Sequence, residues 1–184
     1  MTRSLALLFA LACLPAAAQE CYPVLPEGGR VTFELKQSGA LFRGGFRRFG
    51  GEVCFAQGQV ARIDAWLEPG SVDSGLPEID AALKEDEFFA VARHPRVTFA
   101  GRSVDVRGGL QVTRGTLEMK GKRRDVEVAF HVRREGARTA LIGAFGLNRL
   151  DYGIGTGEWS DTAWLAAEVR VEFSAVLSRK PKPQ

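Results

Sequence analysis

Residues 125–134 read DVEVAFHVRR, in which Val126, Val128, Phe130 and Val132 alternate with Glu127, Ala129, His131 and Arg133. Alternation of this kind marks a strand with one buried face, because successive side chains of an extended chain point to opposite sides. The same period recurs on either side of this stretch. RVTFELK (30–36) sets Val31, Phe33 and Leu35 against Thr32, Glu34 and Lys36, and EVRVEFSAVL (168–177) sets Val169, Val171, Phe173, Ala175 and Leu177 against Arg170, Glu172 and Ser174. Shorter runs lie between them, at Val53 and Phe55, Ile63 and Leu67, Val97 and Phe99, Val104 and Val106, Leu110 and Val112, and Leu117 and Met119. Glycine or a charged turn separates each run from the next. About eight to ten antiparallel strands make the chain all-β, either a sandwich or a closed barrel.

One segment departs from this period. SVDSGLPEIDAALKEDEFFAVARHP (71–95) spaces Ile79, Leu83 and Phe88 as a helix would. It carries Pro77 and Glu78 at a helix start and stops at His94-Pro95, which predicts a short helical excursion between strands. No internal repeat or composition shift divides residues 21–178.

The chain has 184 residues, 45% of them hydrophobic, with a formal net charge of +3. MTRSLALLFALACLPAAA (1–18) has the basic start, short apolar run and small-residue end of a cleaved secretory signal peptide. The expected organisation is a signal peptide over 1–18, one β domain over 19–178 and a flexible, proline-bearing tail over 179–184. Such a protein is exported, with no stable membrane insertion, since no later apolar stretch reaches the length of a membrane helix. Its small net charge argues against nucleic acid as a partner. Cys13 would leave with the signal peptide, so Cys21 and Cys54 remain and are expected to join in an oxidising compartment. Neither CxxC spacing nor a nearby histidine favours a redox or metal role for them.

Candidates for catalysis are few. His94 precedes a proline and His131 sits on a charged strand face; no HExxH, paired CxxC or EF-hand pattern occurs. GSVDSG (70–75) lacks the G-x-S-x-G spacing of a nucleophile elbow and reads as a turn. GIGTGEWS (153–160) opens no helix and reads as a hairpin loop rather than a phosphate cradle. Glu78, Asp80, Glu85, Asp86 and Glu87 gather around the helical segment as a solvated acidic run. KGKRRD (120–125) reads as a charged hairpin turn. No catalytic residue, metal site or cofactor is expected.

Eleven phenylalanines follow residue 18, most of them at inward positions. A closed barrel of about eight strands is just wide enough to be filled by side chains or to enclose one small ligand. Periodicity leaves both open, but any cavity would be apolar. In FRGGFRRFGG (42–51), phenylalanines interleave with Arg43, Arg47 and Arg48, as core rings with outward arginines or as a rim for an apolar tail with an anionic head.

Five ordered blocks together resemble the YceI-like family of periplasmic polyisoprenoid-binding proteins. They are G-x-F-x-x-F-G (44–50), GSVDSG, KEDEFFAVARHPRVTF (84–99), GTLEMKGKRRDVEV (115–128) and FGLNRLDYGIG (145–155). The resemblance spans about Arg30 to Leu177. It implies an antiparallel, extended lipocalin-like β-barrel whose apolar tunnel holds a long-chain isoprenoid, a quinone-like lipid or a similar amphiphile, and a carrier rather than an enzyme. The expected ligand contacts are Phe33, Leu35, Phe42, Phe46, Phe49 and Phe55, then Phe88, Phe89, Phe99 and Phe130, then Phe145, Leu147, Tyr152 and Phe173. Arg43, Arg47 and Arg149 are candidate headgroup contacts, with Arg149 expected first to pair with a carboxylate such as Asp151. The family places an arginine before the aspartate that Asp80 matches; Ile79 stands there, which deprives Asp80 of an ion-pair partner. The early cysteine pair is not a general family feature. Whether the barrel is a monomer or a homodimer stays open.

Overall fold

The computed structural model describes residues 19–136 and 138–182. The expected signal peptide and the last two tail residues lie outside them. Ten strands form one antiparallel sheet: β1 (Glu20–Gln37), β2 (Ala40–Phe46), β3 (Phe49–Ala56), β4 (Gln59–Leu67), β5 (Val72–Asp73), β6 (Val97–Arg107), β7 (Leu110–Met119), β8 (Lys122–Glu135), β9 (Arg138–Asn148) and β10 (Glu168–Leu177). Pairing of β10 with β1 closes a ring in the order β1, β10, β9, β8, β7, β6, β4, β3. The fold is therefore a closed eight-stranded barrel with β2 and β5 as additions.

Tight turns set the register. Ser38-Gly39, Gln57-Gly58, Gly108-Gly109 and Lys120-Gly121 each place two residues at positive φ, the geometry whose twist matches that of the flanking strands. Strand β1 is long enough to serve two partners on one edge. Residues 20–24 pair with β3 and residues 31–37 with β2, while its other edge runs along β10. Gly44 lies opposite Phe33, whose ring lies across it; a side chain at Gly44 would collide with that ring.

Two connections fold over one end of the barrel. The chain leaves β4 at Leu67 and enters β6 at Val97, which are paired neighbours, so residues 68–96 begin and end at the same rim. Likewise Asn148 and Glu168 are paired, and residues 149–167 return over that rim. The first cover contains helix α1 (Pro77–Ala82), much shorter than the helical excursion expected from residues 71–95. Beyond it, bonds such as Phe88 N–H to Glu85 C=O and the left-handed Ala90 (φ 49°) replace the helix. Adjacent Phe88 and Phe89 both reach the cavity from these turns.

The interior divides in two. At the end away from the covers, Val53, Phe55, Val60, Ile63, Phe130, Leu141 and Leu177 pack together, with Tyr22 edge-on to Phe55 at 5.8 Å. The disulfide Cys21–Cys54 joins β1 to β3 in register there. The tail, expected to be loose, is tied back as far as Lys182, whose N–H donates to Cys21 C=O at 2.7 Å. No helix among the described residues is long and apolar enough to cross a membrane.

Candidate ligand-binding cavity

The covered end is hollow. A cavity of about 370 Å³ opens there, within the size range of small-molecule sites. Strands supply Phe33 and Leu35 from β1, Phe42 and Phe46 from β2, Leu117 and Met119 from β7, and Phe145 and Leu147 from β9. The first cover adds Ile79, Leu83, Phe88 and Phe89, and the second Ile154, Trp159 and Leu165. Aromatic contacts lock the wall, with Phe33 5.5 Å from Phe46, Phe46 edge-on to Phe89 at 5.8 Å, and Phe88 against Trp159 at 5.5 Å. The polar side chains that reach it are Gln37, Glu78, Arg149 and the Trp159 indole.

The covers are fastened to each other. Gly155 N–H donates to Glu87 C=O at 2.8 Å. Lys120, held at the β7–β8 turn, donates from Nζ to Asp86 C=O at 2.7 Å and Gly153 C=O at 2.6 Å, and burial pulls its pKa down from the ordinary lysine value. Asp80, left without its ion-pair partner, instead accepts both the N–H and the hydroxyl of Ser74, at 2.8 and 2.7 Å, and closes the turn that leads into α1.

Arg149 anchors the second cover. It is 2% exposed. Nε donates to Ala166 C=O, Nη1 to Ile154 and Gly155 C=O, and Nη2 to Trp159 and Leu165 C=O, all at 2.6–3.0 Å. Its expected pairing with Asp151 is not formed; the partners are five backbone carbonyls. Burial lowers its pKa from the ordinary arginine value, yet guanidinium stays charged in proteins. The glycines of GIGTG explain how the backbone wraps it: Gly155 has φ 66°, and a side chain there would strike Nη1 of Arg149. Arginine followed by alternating glycines was the available signal, and the loop reading alone missed it. Asn148 accepts from Leu150 N–H at 2.9 Å and starts the turn that carries Arg149 inward.

Of the expected ligand contacts, Phe33, Leu35, Phe42, Phe46, Phe88, Phe89, Phe145 and Leu147 come together in this wall. Six others lie elsewhere. Phe55, Phe130 and Phe173 belong to the packed end, Phe99 bridges the two ends, Phe49 is buried against Gly29, and Tyr152 packs into the core beside the cavity. Alternation identifies the inward face but not the level along the barrel axis, which separates Phe55, Phe130 and Phe173 from the wall. The Tyr152 hydroxyl has no partner among the described residues, and burial raises its pKa from the ordinary tyrosine value. Arg43 and Arg47 point outward, pairing with Glu34 at 3.0 Å and Asp73 at 2.8 Å. The one grouping of metal-ligand types among the described residues, Cys21, Glu52 and Cys54, has both sulfurs in the disulfide.

A closed antiparallel barrel with one packed end and one covered, apolar hollow defines a cavity-bearing β-barrel protein. Within that class the chain belongs to the YceI-like family, whose domain model matches residues 22–177. It is 28% identical over 162 residues to a UPF0312 protein of Shewanella denitrificans, covering 80% of this chain and 84% of that one. A UPF0312 protein of Azotobacter vinelandii is 30% identical over 135 residues, covering 67% and 70%. Among solved structures, Burkholderia cenocepacia BcnA superposes with a TM-score of 0.80 at 26% identity, over 84% of this chain and 99% of that one. A polyisoprenoid binding domain from Saccharophagus degradans, implicated in plant cell wall breakdown, shares the fold at 16% identity and a TM-score of 0.70, over 85% and 97%.

Proposed function

We propose that this chain is a non-catalytic periplasmic carrier that holds a long-chain isoprenoid, or a similar amphiphilic lipid, in the covered end of its barrel. The wall carries this reading: it is apolar apart from four side chains, whereas at the opposite end Val53, Phe130 and Leu141 pack together and the hollow at the mouth is lined by polar and charged groups such as Glu20, Gln57, Arg134 and Arg179. Withdrawing a hydrocarbon chain from water contributes about 0.8 kcal/mol per CH₂, so a tail of a few isoprene units supplies ample affinity without any ionic anchor. The Saccharophagus degradans domain, described as polyisoprenoid-binding, has the same fold. A disulfide suits an oxidising compartment, in keeping with the secretory character of residues 1–18.

The test is recovery of the ligand. Protein purified without detergent is weighed under native and denaturing conditions and extracted with organic solvent. One equivalent of an amphiphile, returned chemically unchanged after long incubation, is the expected result. Empty protein that also takes up no added isoprenoid would overturn the carrier reading, and a chemically altered lipid would overturn its non-catalytic part.

A further inference from the structure

The structure also bears on the polar end of the ligand, and this step rests on the carrier reading above. We infer that the cavity selects a lipid whose polar group is uncharged, an alcohol or a carbonyl, over one ending in phosphate or carboxylate. Arg149 is the one cation in the wall among the described residues, and all five of its N–H donors are taken by backbone carbonyls. A guanidinium has five N–H donors, so none is left for an anion. The carbonyl oxygens around it turn their negative ends toward its charge.

The arginines expected to meet a headgroup point away from the cavity and are paired with Glu34 and Asp73. Lys36 alternates with the wall residues Leu35 and Gln37, so it faces outward. The second charged group of the wall is Glu78, an exposed carboxylate with no ion pair among the described residues, which repels an anion. An anionic head brought into an apolar site without charged donors loses hydration that nothing restores.

Neutral recognition has the groups it needs. Gln37 ends β1 at the wall, and its side-chain amide has no hydrogen-bond partner among the described residues. It offers a donor and an acceptor, which match a hydroxyl or a quinone-type carbonyl. Trp159, whose indole carries one N–H donor, also lines the wall.

Geranylgeraniol and geranylgeranyl monophosphate share one tail and differ in the charge of the head. Their affinities for the detergent-free protein, read by quenching of tryptophan fluorescence and confirmed by calorimetry, are expected to differ at least tenfold in favour of the alcohol. Gln37→Leu should weaken the alcohol several-fold relative to the hydrocarbon squalene, whose binding should not fall. Glu78→Gln should narrow the gap by strengthening the phosphate. Equal or tighter binding of the phosphate would overturn the inference and leave the carrier reading intact. Failure of alcohol, phosphate and squalene alike would instead overturn the carrier reading.

Discussion

Arg149 carries a full positive charge into the barrel wall, and its hydrogen-bond partners there are all backbone carbonyls. Removing the side chain strands several buried acceptors at once, at about 1–3 kcal/mol for each that finds no water. Arg149→Ala is therefore expected to lose about 3–5 kcal/mol in urea denaturation. Arg149→Lys should also be destabilised, since three donors on one nitrogen cannot reach five carbonyls spread around a planar fork. A lysine variant as stable as the parent would show that the caged geometry matters little. On the outer surface, charge acts locally. The Asp73 carboxyl is held below its ordinary pKa first by hydrogen bonds from Arg47 and then by Gly75 N–H. A depressed carboxylate pKa means that its contribution to stability is present at neutral pH and fades as pH falls through the folded-state value. In Arg47→Ala, NMR titration should find the Asp73 pKa raised toward that of an ordinary aspartate, with lipid uptake unchanged. Loss of uptake in that variant would return Arg47 to the headgroup.

At the scale of elements, the seam between β1 and β3 spans five residue pairs, Glu20↔Phe55 to Val24↔Gly51, and the Cys21–Cys54 disulfide lies within it. The bridge closes a loop with a sequence separation of 33, worth about 3–4 kcal/mol in the chain-entropy model. The double variant Cys21→Ser, Cys54→Ser should lose about that much in chemical denaturation, and reduction of the parent should reproduce the loss. An unchanged midpoint would mean that the pairing alone holds the seam. The strands flanking this seam were legible in the sequence because burial on one face imposes period two, and the Lys120-Gly121 turn was legible from its charge and glycine. The covers were not. Ile79, Leu83 and Phe88 have helical spacing, but the helix ends at Ala82, and Phe88 and Phe89 reach the cavity from the turns beyond it. Arg149 pointed to a carboxylate in the sequence because side-chain pairing is readable there, whereas a cage of backbone carbonyls appears only once the chain has folded around it.

Across the whole molecule, one continuous barrel serves two purposes at its two ends, and the level of a residue along the axis decides which. Phe130 and Phe89 are both inward phenylalanines, and sequence pattern does not tell them apart. Phe130 is fully buried among Val53, Ile63 and Leu141; Phe89 is half-buried and faces the cavity beside Phe46. Truncating Phe130 to alanine opens a void in close-packed surroundings, at about 3–5 kcal/mol. Truncating Phe89 only enlarges a hollow that already exists, at less than about 2 kcal/mol. Ligand behaviour should move the opposite way. Phe130→Ala is expected to keep the parent's affinity for an isoprenoid alcohol under conditions where it remains folded, because its cavity wall is intact. Phe89→Ala is expected to melt near the parent and to bind that alcohol several-fold more weakly, having lost a ring from the wall. Urea denaturation and fluorescence titration of the same two preparations separate these effects. If Phe130→Ala lost binding at full stability while Phe89→Ala unfolded, the ligand would belong to the end of the barrel assigned here as packed, and the roles of the two ends would be reversed.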